Sequence, residues 1–387
     1  MFDCLYCAKT TDPAESSLEH AIPQFMGGAR APARFHLSNV CETCNNRLGL
    51  FVDASYAKAW LTTNALATAA RNLYLSNDDP GLPLIYIGHA TINGLIVPEG
   101  HVAEHWIGPS GETVVWVRLH DKRMDAYAGG NPIDAKRAPS VIYLVPTAGD
   151  ERLEMAIRSL KRMGGRKVRT ILCAEVLDAD GRQASPATLG FDVADMAEID
   201  AADAIRAQAL TGQMGARVVM NLTFDHRFIC KLALSVGYAL FGEPFLDQST
   251  AADFRLGVWP KLGAQKPPVR GASSLTAHAK VIARRTAYPS AVLLFVMRAG
   301  DQWVLTLTID PQLTFSVALG PGTLKGHEVD LEAGYALVLI PYLEQTVELS
   351  LTALIDHLLG GAPVPELERL DQRKQASERI WRSLPSM

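Results

Sequence analysis

The chain has 387 residues, 48% of them hydrophobic and 20% charged, with a formal net charge of -4 and a pI near 6.2. That length suggests two or three domains, with a core large enough to do without cross-links. No basic field runs along the whole chain. This argues against a nonspecific nucleic-acid coat and leaves room only for a local basic groove.

The start, MFDCLYC, lacks a basic region followed by an apolar run. No stretch reaches the roughly 18 uncharged apolar residues of a membrane span. A soluble cytoplasmic protein with no membrane partner is therefore expected. In a reducing compartment, paired Cys-x-x-Cys motifs indicate metal or redox chemistry rather than disulfides.

Residues 1–59 hold four of the six cysteines, a middle containing Gly and Pro, and little continuous apolar sequence. This texture predicts a small module built around a metal. Cys4 and Cys7 form one knuckle, and Cys41 and Cys44 form another. Two knuckles supply four thiolates for one tetrahedral zinc, and their turns offer backbone N–H groups to the sulfurs. A thioredoxin-like redox pair fits poorly, because two pairs are present and neither lies in a βαβ pattern. The gap between the knuckles exceeds the roughly 15–20 residues of a simple ribbon. The inserted stretch, SSLEHAIPQFMGGARAPARFHLSN, carries Glu19 and His20. Pro23, Gly27 and Gly28 read as turn chemistry between strand and helix.

Residues 60–216 form a second region. A helix is predicted over 61–75, strands over 82–88, 113–119 and 140–147, and a hairpin over 106–116. A helix follows over 150–165, with Asp150 as its candidate N-cap and a Gly pair as its stop, then a strand over 167–176. His101, His105 and His120 lie here without a ligand-like framework.

The third region spans 217–387. A long helix is predicted over 224–242, a loop over 259–274, strands over 291–299, 302–309, 313–319 and 335–343, and helices over 351–360 and 365–384. In the long helix Phe224, Phe228, Leu232 and Val236 read as a buried face. Arg227 and Lys231, four apart with His226 beside them, read as its polar edge. Cys173 and Cys230 read as small buried hydrophobes. The fold class is α+β: a small metal-stapled module followed by a larger mixed α/β region whose topology the sequence does not give.

The order CLYC, EHAIP, GG, NVCETCNN over roughly the first 55 residues resembles the HNH endonuclease family. Six spaced elements must coincide, so the joint pattern is specific where each alone is weak. The resemblance implies a ββα-metal module. One hairpin would carry Glu19 and His20, and a short helix the second knuckle. It further implies His20 as general base and a catalytic Mg²⁺ or Mn²⁺, distinct from the zinc, near Glu19 and Asn45. These roles suit a neutral imidazole near pH 7 and oxygen donors for a hard cation. The family's middle Asn falls at His36 here, while Asn39 lies two residues before Cys41. His36 would bind the ion or phosphate, Asn39 would instead pin the loop that orients His20, and His36 is ranked slightly ahead for the middle position.

The stretch RSLKRMGGRKVR gathers Arg158, Lys161, Arg162, Arg166, Lys167 and Arg169. It reads equally as a phosphate-contacting patch or as a solvated helix face next to an edge strand. The overall expectation is a metal-dependent endonuclease acting on nucleic acid, DNA first. The rival is a zinc-knuckle binding module without catalysis, in which Glu19, His20 and Asn45 are dispensable.

Overall fold

The computed structural model describes residues 1–383 except 77, 79–80, 148–149, 164–166, 176–184, 213, 222, 262–268 and 274–286. Arg166 therefore lies outside the described residues. The architecture is α+β and divides into two compact units. One contains residues 1–57, 68–75 and 222–387, the other 58–67 and 76–221. The first and third regions of the sequence share one unit. No described helix is long and apolar enough to cross a membrane.

The first unit opens with very short elements. Strands β1 (Phe2–Asp3) and β2 (Thr10–Thr11) pair around the first knuckle. β3 (Glu19–His20) pairs with β4 (His36–Leu37), and α1 (Glu42–Leu48) follows. The helical path continues through a π-turn, Gly49–Asp53, into α2 (Ala54–Ala57) and then α3 (Trp60–Arg71), whose residues 60–67 belong to the second unit. Strands of two residues cannot hold themselves. This module keeps its shape through its cysteine knuckles and through packing on later chain.

The second unit is a six-stranded sheet, ordered β10-β5-β6-β7-β8-β9. Its strands are β5 (Ile85–Thr91), β6 (His101–Ile107), β7 (Thr113–Leu119), β8 (Ser140–Val145), β9 (Val168–Leu172) and β10 (Gly215–Arg217). All neighbours are antiparallel except β8 and β9, which the helix α5 (Asp150–Met163) connects in parallel, with the short α4 (Asp134–Arg137) lying before β8. Alternation along β7 sends Val114 and Trp116 to one face with Ala156 and Leu160 of α5. Val115 and Val117 go to the other face, with Ala202 and Ile205 of α6 (Met196–Thr211). Cys173 is buried in that second layer.

The chain then completes the first unit. Helix α7 (Thr223–Phe241) ends at Gly242, whose φ of 67° suits a residue without Cβ. α8 (Glu243–Leu246) and α9 (Ser249–Val258) follow. A second six-stranded sheet, wholly antiparallel, is ordered β11-β14-β13-β12-β15-β16. It is built from β11 (Gly271–Ser273), β12 (Val292–Ala299), β13 (Gln302–Ile309), β14 (Leu313–Pro321), β15 (Tyr335–Ile340) and β16 (Gln345–Ser350). The predicted 259–274 loop thus ends in an edge strand, and its residues 262–268 lie outside the described residues. α10 (Leu351–Leu358) and α11 (Pro365–Ser383) close the chain.

β15 is buried along its whole length and β12 over its first five residues, as their uninterrupted apolar runs require. The N-terminal module packs on this scaffold through aromatic rings. Tyr56 of α2 stacks on Phe228 of α7 at 3.8 Å between centroids, and Phe35 lies 6.0 Å from Tyr335 of β15. Arg30 reaches Glu344 at 2.9 Å, and Arg34 pairs with Glu348. Cys230, on α7, is fully buried.

Candidate metal centre and active site

The four N-terminal cysteines converge. Their sulfurs lie within 4.8 Å of one another, and among the described residues they form the one group of this kind. A tetrahedral zinc with bonds of about 2.3 Å sets sulfurs roughly 3.8 Å apart, so this donor set fits zinc. The first knuckle is closed by Ala8 N–H donating to Cys4 O at 2.8 Å, with Ala8 in the left-handed region at φ 54°. The second begins at Cys41, whose N–H donates to Cys4 Sγ at 3.4 Å, and Cys44 stands in the first turn of α1. A hydrogen bond from Cys44 pulls the Cys4 thiol down to about 4, while the same bond pushes Cys44 up. One thiolate is thus already favoured, as metal binding requires.

Beside the knuckles, β3 and β4 place His20 directly opposite His36. Their rings lie edge to face, 5.0 Å apart at 72°. Burial, then the neighbouring His36, lowers the His20 pKa; Lys231 adds to this and Glu19 opposes it. His20 is therefore held neutral, the form that accepts a proton. Its Nδ1 lies 3.4 Å from the side-chain amide of Gln24, and His36 Nε2 lies 3.4 Å from the Gly28 carbonyl. The double glycine makes this loop. Gly27 has φ 93°, and a Cβ on Gly28 would stand 1.6 Å from the Ile22 carbonyl oxygen.

Glu19 points the other way from His20, as strand alternation demands, and is buried. Its Oε1 meets Lys231 Nζ at 2.6 Å and accepts from the Tyr6 hydroxyl at 3.4 Å. The same ammonium lies 3.3 Å from Asp53 Oδ2 and donates to the His20 carbonyl at 3.2 Å. Lys231 is fully buried, not on a polar helix edge as its spacing from Arg227 suggested. Two carboxylates from elsewhere in the chain compensate it, which an isolated reading of the helix cannot see. Burial alone would lower the Lys231 pKa, but Asp53 and Glu19 outweigh it and keep the residue charged. Burial and proximity to Glu19 raise the Tyr6 hydroxyl well above its ordinary value.

Asn45 donates its amide hydrogens to Ser17 Oγ at 2.7 Å and to the Leu18 carbonyl at 3.0 Å. It therefore clamps α1 to the residue before Glu19. Glu19 is thus engaged through Oε1 and Asn45 through its amide nitrogen. Asn39 instead belongs to the turn before Cys41, where its carbonyl accepts from Leu5 N–H at 2.9 Å. Of the two residues weighed for the middle position, the fold sets His36 beside His20.

The basic stretch lies in the second unit and is partly committed to internal contacts. Arg169 forms a two-pronged pair with Glu198, both distances 2.8 Å, and donates to Val193 O. Arg158 donates to the Ser76 carbonyl at 3.2 Å. Lys161, Arg162 and Lys167 are exposed. The same unit holds an internal charge cluster in which Asp125 accepts from His120 at 2.8 Å and faces His89 and Arg217, each at 3.5 Å.

Sequence reasoning missed Tyr6, Gln24, Asp53, Lys231 and Ser235 around the hairpin. The signal available for Lys231 was a lone charge among LAL- and FIC-type apolar neighbours in mid-helix.

No curated protein and no solved structure matches the chain. Residues 4–61 match the model of the family described as HNH endonuclease, so an HNH endonuclease domain stands at the N-terminus of this chain.

Proposed function

We propose that this protein is an endonuclease that hydrolyses phosphodiester bonds of nucleic acid, with DNA as substrate and His20 as general base. The observation that carries the reading is the His20–His36 pair facing each other beside a zinc-type cysteine centre, with His20 held neutral. A base must take a proton on one ring nitrogen while the other is held. For Nε2 to accept from water, Nδ1 carries the hydrogen and Gln24 turns its amide oxygen toward it. His36, across the ladder, contacts the scissile phosphate and keeps the attacking water on the His20 side. Asn45 fixes the approach of β3 to α1. Glu19 Oε2 and Asn45 Oδ1 would hold Mg²⁺ or Mn²⁺, which supplies charge stabilisation at the phosphate and leaving oxygen. The zinc is structural. The remainder of the chain selects and positions the substrate, because a module of this size offers little reading surface.

The experiment is cleavage of supercoiled plasmid by wild-type protein and His20→Ala, with Mg²⁺, Mn²⁺ or EDTA. Cutting that needs the ion, and is lost in the variant with zinc retained, supports the nuclease. If neither protein cuts, the second reading stands: a zinc-knuckle binding module. The commitment of Glu19 Oε1 to Lys231 is the observation in its favour.

A further inference from the structure

β3 is two residues long, so its ladder with β4 does little to fix the ring of His20. The carbonyls of this segment are held instead from α7. Lys231 Nζ donates to the His20 carbonyl at 3.2 Å. Ser235 Oγ lies 2.9 Å from the carbonyl of the next residue, Ala21, with Lys231 O and Leu232 O also in reach. Positions 231 and 235 are one helical turn apart and share a face. Two buried polar side chains of this helix thus grip two consecutive carbonyls more than 200 residues upstream. Both are fully buried, so water cannot substitute for either. Lys231 also fixes the Glu19 carboxylate through Oε1 at 2.6 Å.

We propose that Lys231, assisted by Ser235, is a positioning residue for His20. The C-terminal region then completes the catalytic hairpin rather than merely carrying it. The proposal rests on the nuclease reading for its kinetic test, but has a structural readout of its own.

The test uses the full-length, zinc-loaded chain as wild type, Lys231→Met, Ser235→Ala and Asp53→Asn. Displacement of a catalytic group by about 1 Å costs on the order of 10²-fold in rate. Lys231→Met is therefore expected to lose about that factor in kcat with KM for plasmid and zinc content unchanged. Ser235→Ala, the milder change, is expected to lose several-fold. Asp53→Asn leaves both carbonyl contacts in place and is expected to keep kcat within a few-fold of wild type. In parallel, the His20 imidazole NMR signals should move in Lys231→Met and Ser235→Ala but not in Asp53→Asn. Wild-type kcat and unmoved His20 signals in both Lys231→Met and Ser235→Ala would overturn the proposal. If Lys231→Met fails to fold, Ser235→Ala decides it by the same two readouts. If wild-type protein does not cleave, the nuclease reading fails, and the His20 signals alone decide whether α7 positions the ring.

Discussion

His20 and His36 are cross-strand partners whose rings meet edge to face at 5.0 Å in a ladder of only two residue pairs. Two imidazoles this close cannot both be charged cheaply. With burial, that closeness keeps His20 neutral to lower pH than an ordinary histidine.

The pH dependence of cleavage follows from this. A base with a lowered pKa stays competent further into acid, so the acid limb of kcat/KM should lie below the ordinary histidine value of about 6.5. Gln24→Glu places a carboxylate beside Nδ1, favours the imidazolium and should move that limb upward. His36→Ala removes a like charge and should move it upward too. A limb unmoved by both changes would assign it to another group.

Removal of the metal should dismantle the N-terminal module. Structural zinc contributes about 10–16 kcal/mol in small zinc domains, which matches or exceeds the about 5–15 kcal/mol stability of a whole domain. Cys41→Ser, or a strong chelator, should release one zinc per chain and abolish the β1–β2 and β3–β4 pairings. Elemental analysis with amide hydrogen exchange over residues 1–57 checks this. Full protection without zinc would show that the knuckles are not a metal centre.

Gly28→Ala should be severe for its size. The new Cβ meets the backbone of Ile22 at 1.6 Å and cannot be accommodated by a side-chain rotation. Overpacking of this kind costs about 1–3 kcal/mol. The displaced segment follows His20 by two residues, so cleavage should fall along with the midpoint of urea unfolding. Gly28→Ala with wild-type stability would mean that the Ile22–Gly28 approach is looser than described.

The basic stretch separates into two kinds of residue. Arg169→Ala should lower stability by about 0.5–1 kcal/mol, the scale of a partly exposed ion pair, and leave binding unchanged. The double change Lys161→Ala, Lys167→Ala should leave stability alone. If these side chains meet phosphates, it reduces the slope of log K against log salt by about 0.9 per contact. Anisotropy titrations of labelled duplex from 50 to 200 mM salt, concentrations about those over which such slopes are read, decide the point. An unchanged slope removes the stretch from the interface.

Much of this site was legible because it is written locally. Cysteines three apart, an acid–His pair and a Gly-Gly turn all act on neighbours within a few residues. Long buried strands such as β12 and β15 were equally plain, since an apolar run without alternation has few other uses. Helix α6 was not recognised, because its apolar residues form no stripe. Its sign was the capping box of Asp195 and Glu198, both of whose hydrogen bonds are present. Lys231 was placed on a polar edge because helical spacing says which residues share a face. It does not say what that face will meet. Glu19 and Asp53, which make its burial tolerable, stand about 210 and 180 residues away along the chain, and distant pairing leaves no periodic trace in a sequence.

The ion pair of Glu19 with Lys231 also orders events on the ribosome. Residues 1–57 emerge first and can take up zinc at once. α7 follows roughly 10–40 s later at ordinary synthesis rates of about 5–20 residues per second. Until then the carboxylate of Glu19 has no ammonium to face and stays in water, and the His20 and Ala21 carbonyls are ungripped. The cysteine knuckles are therefore available to close early, and the acid–His hairpin is completed late. The nascent chain carries its cysteine centre well before it carries an ordered histidine pair.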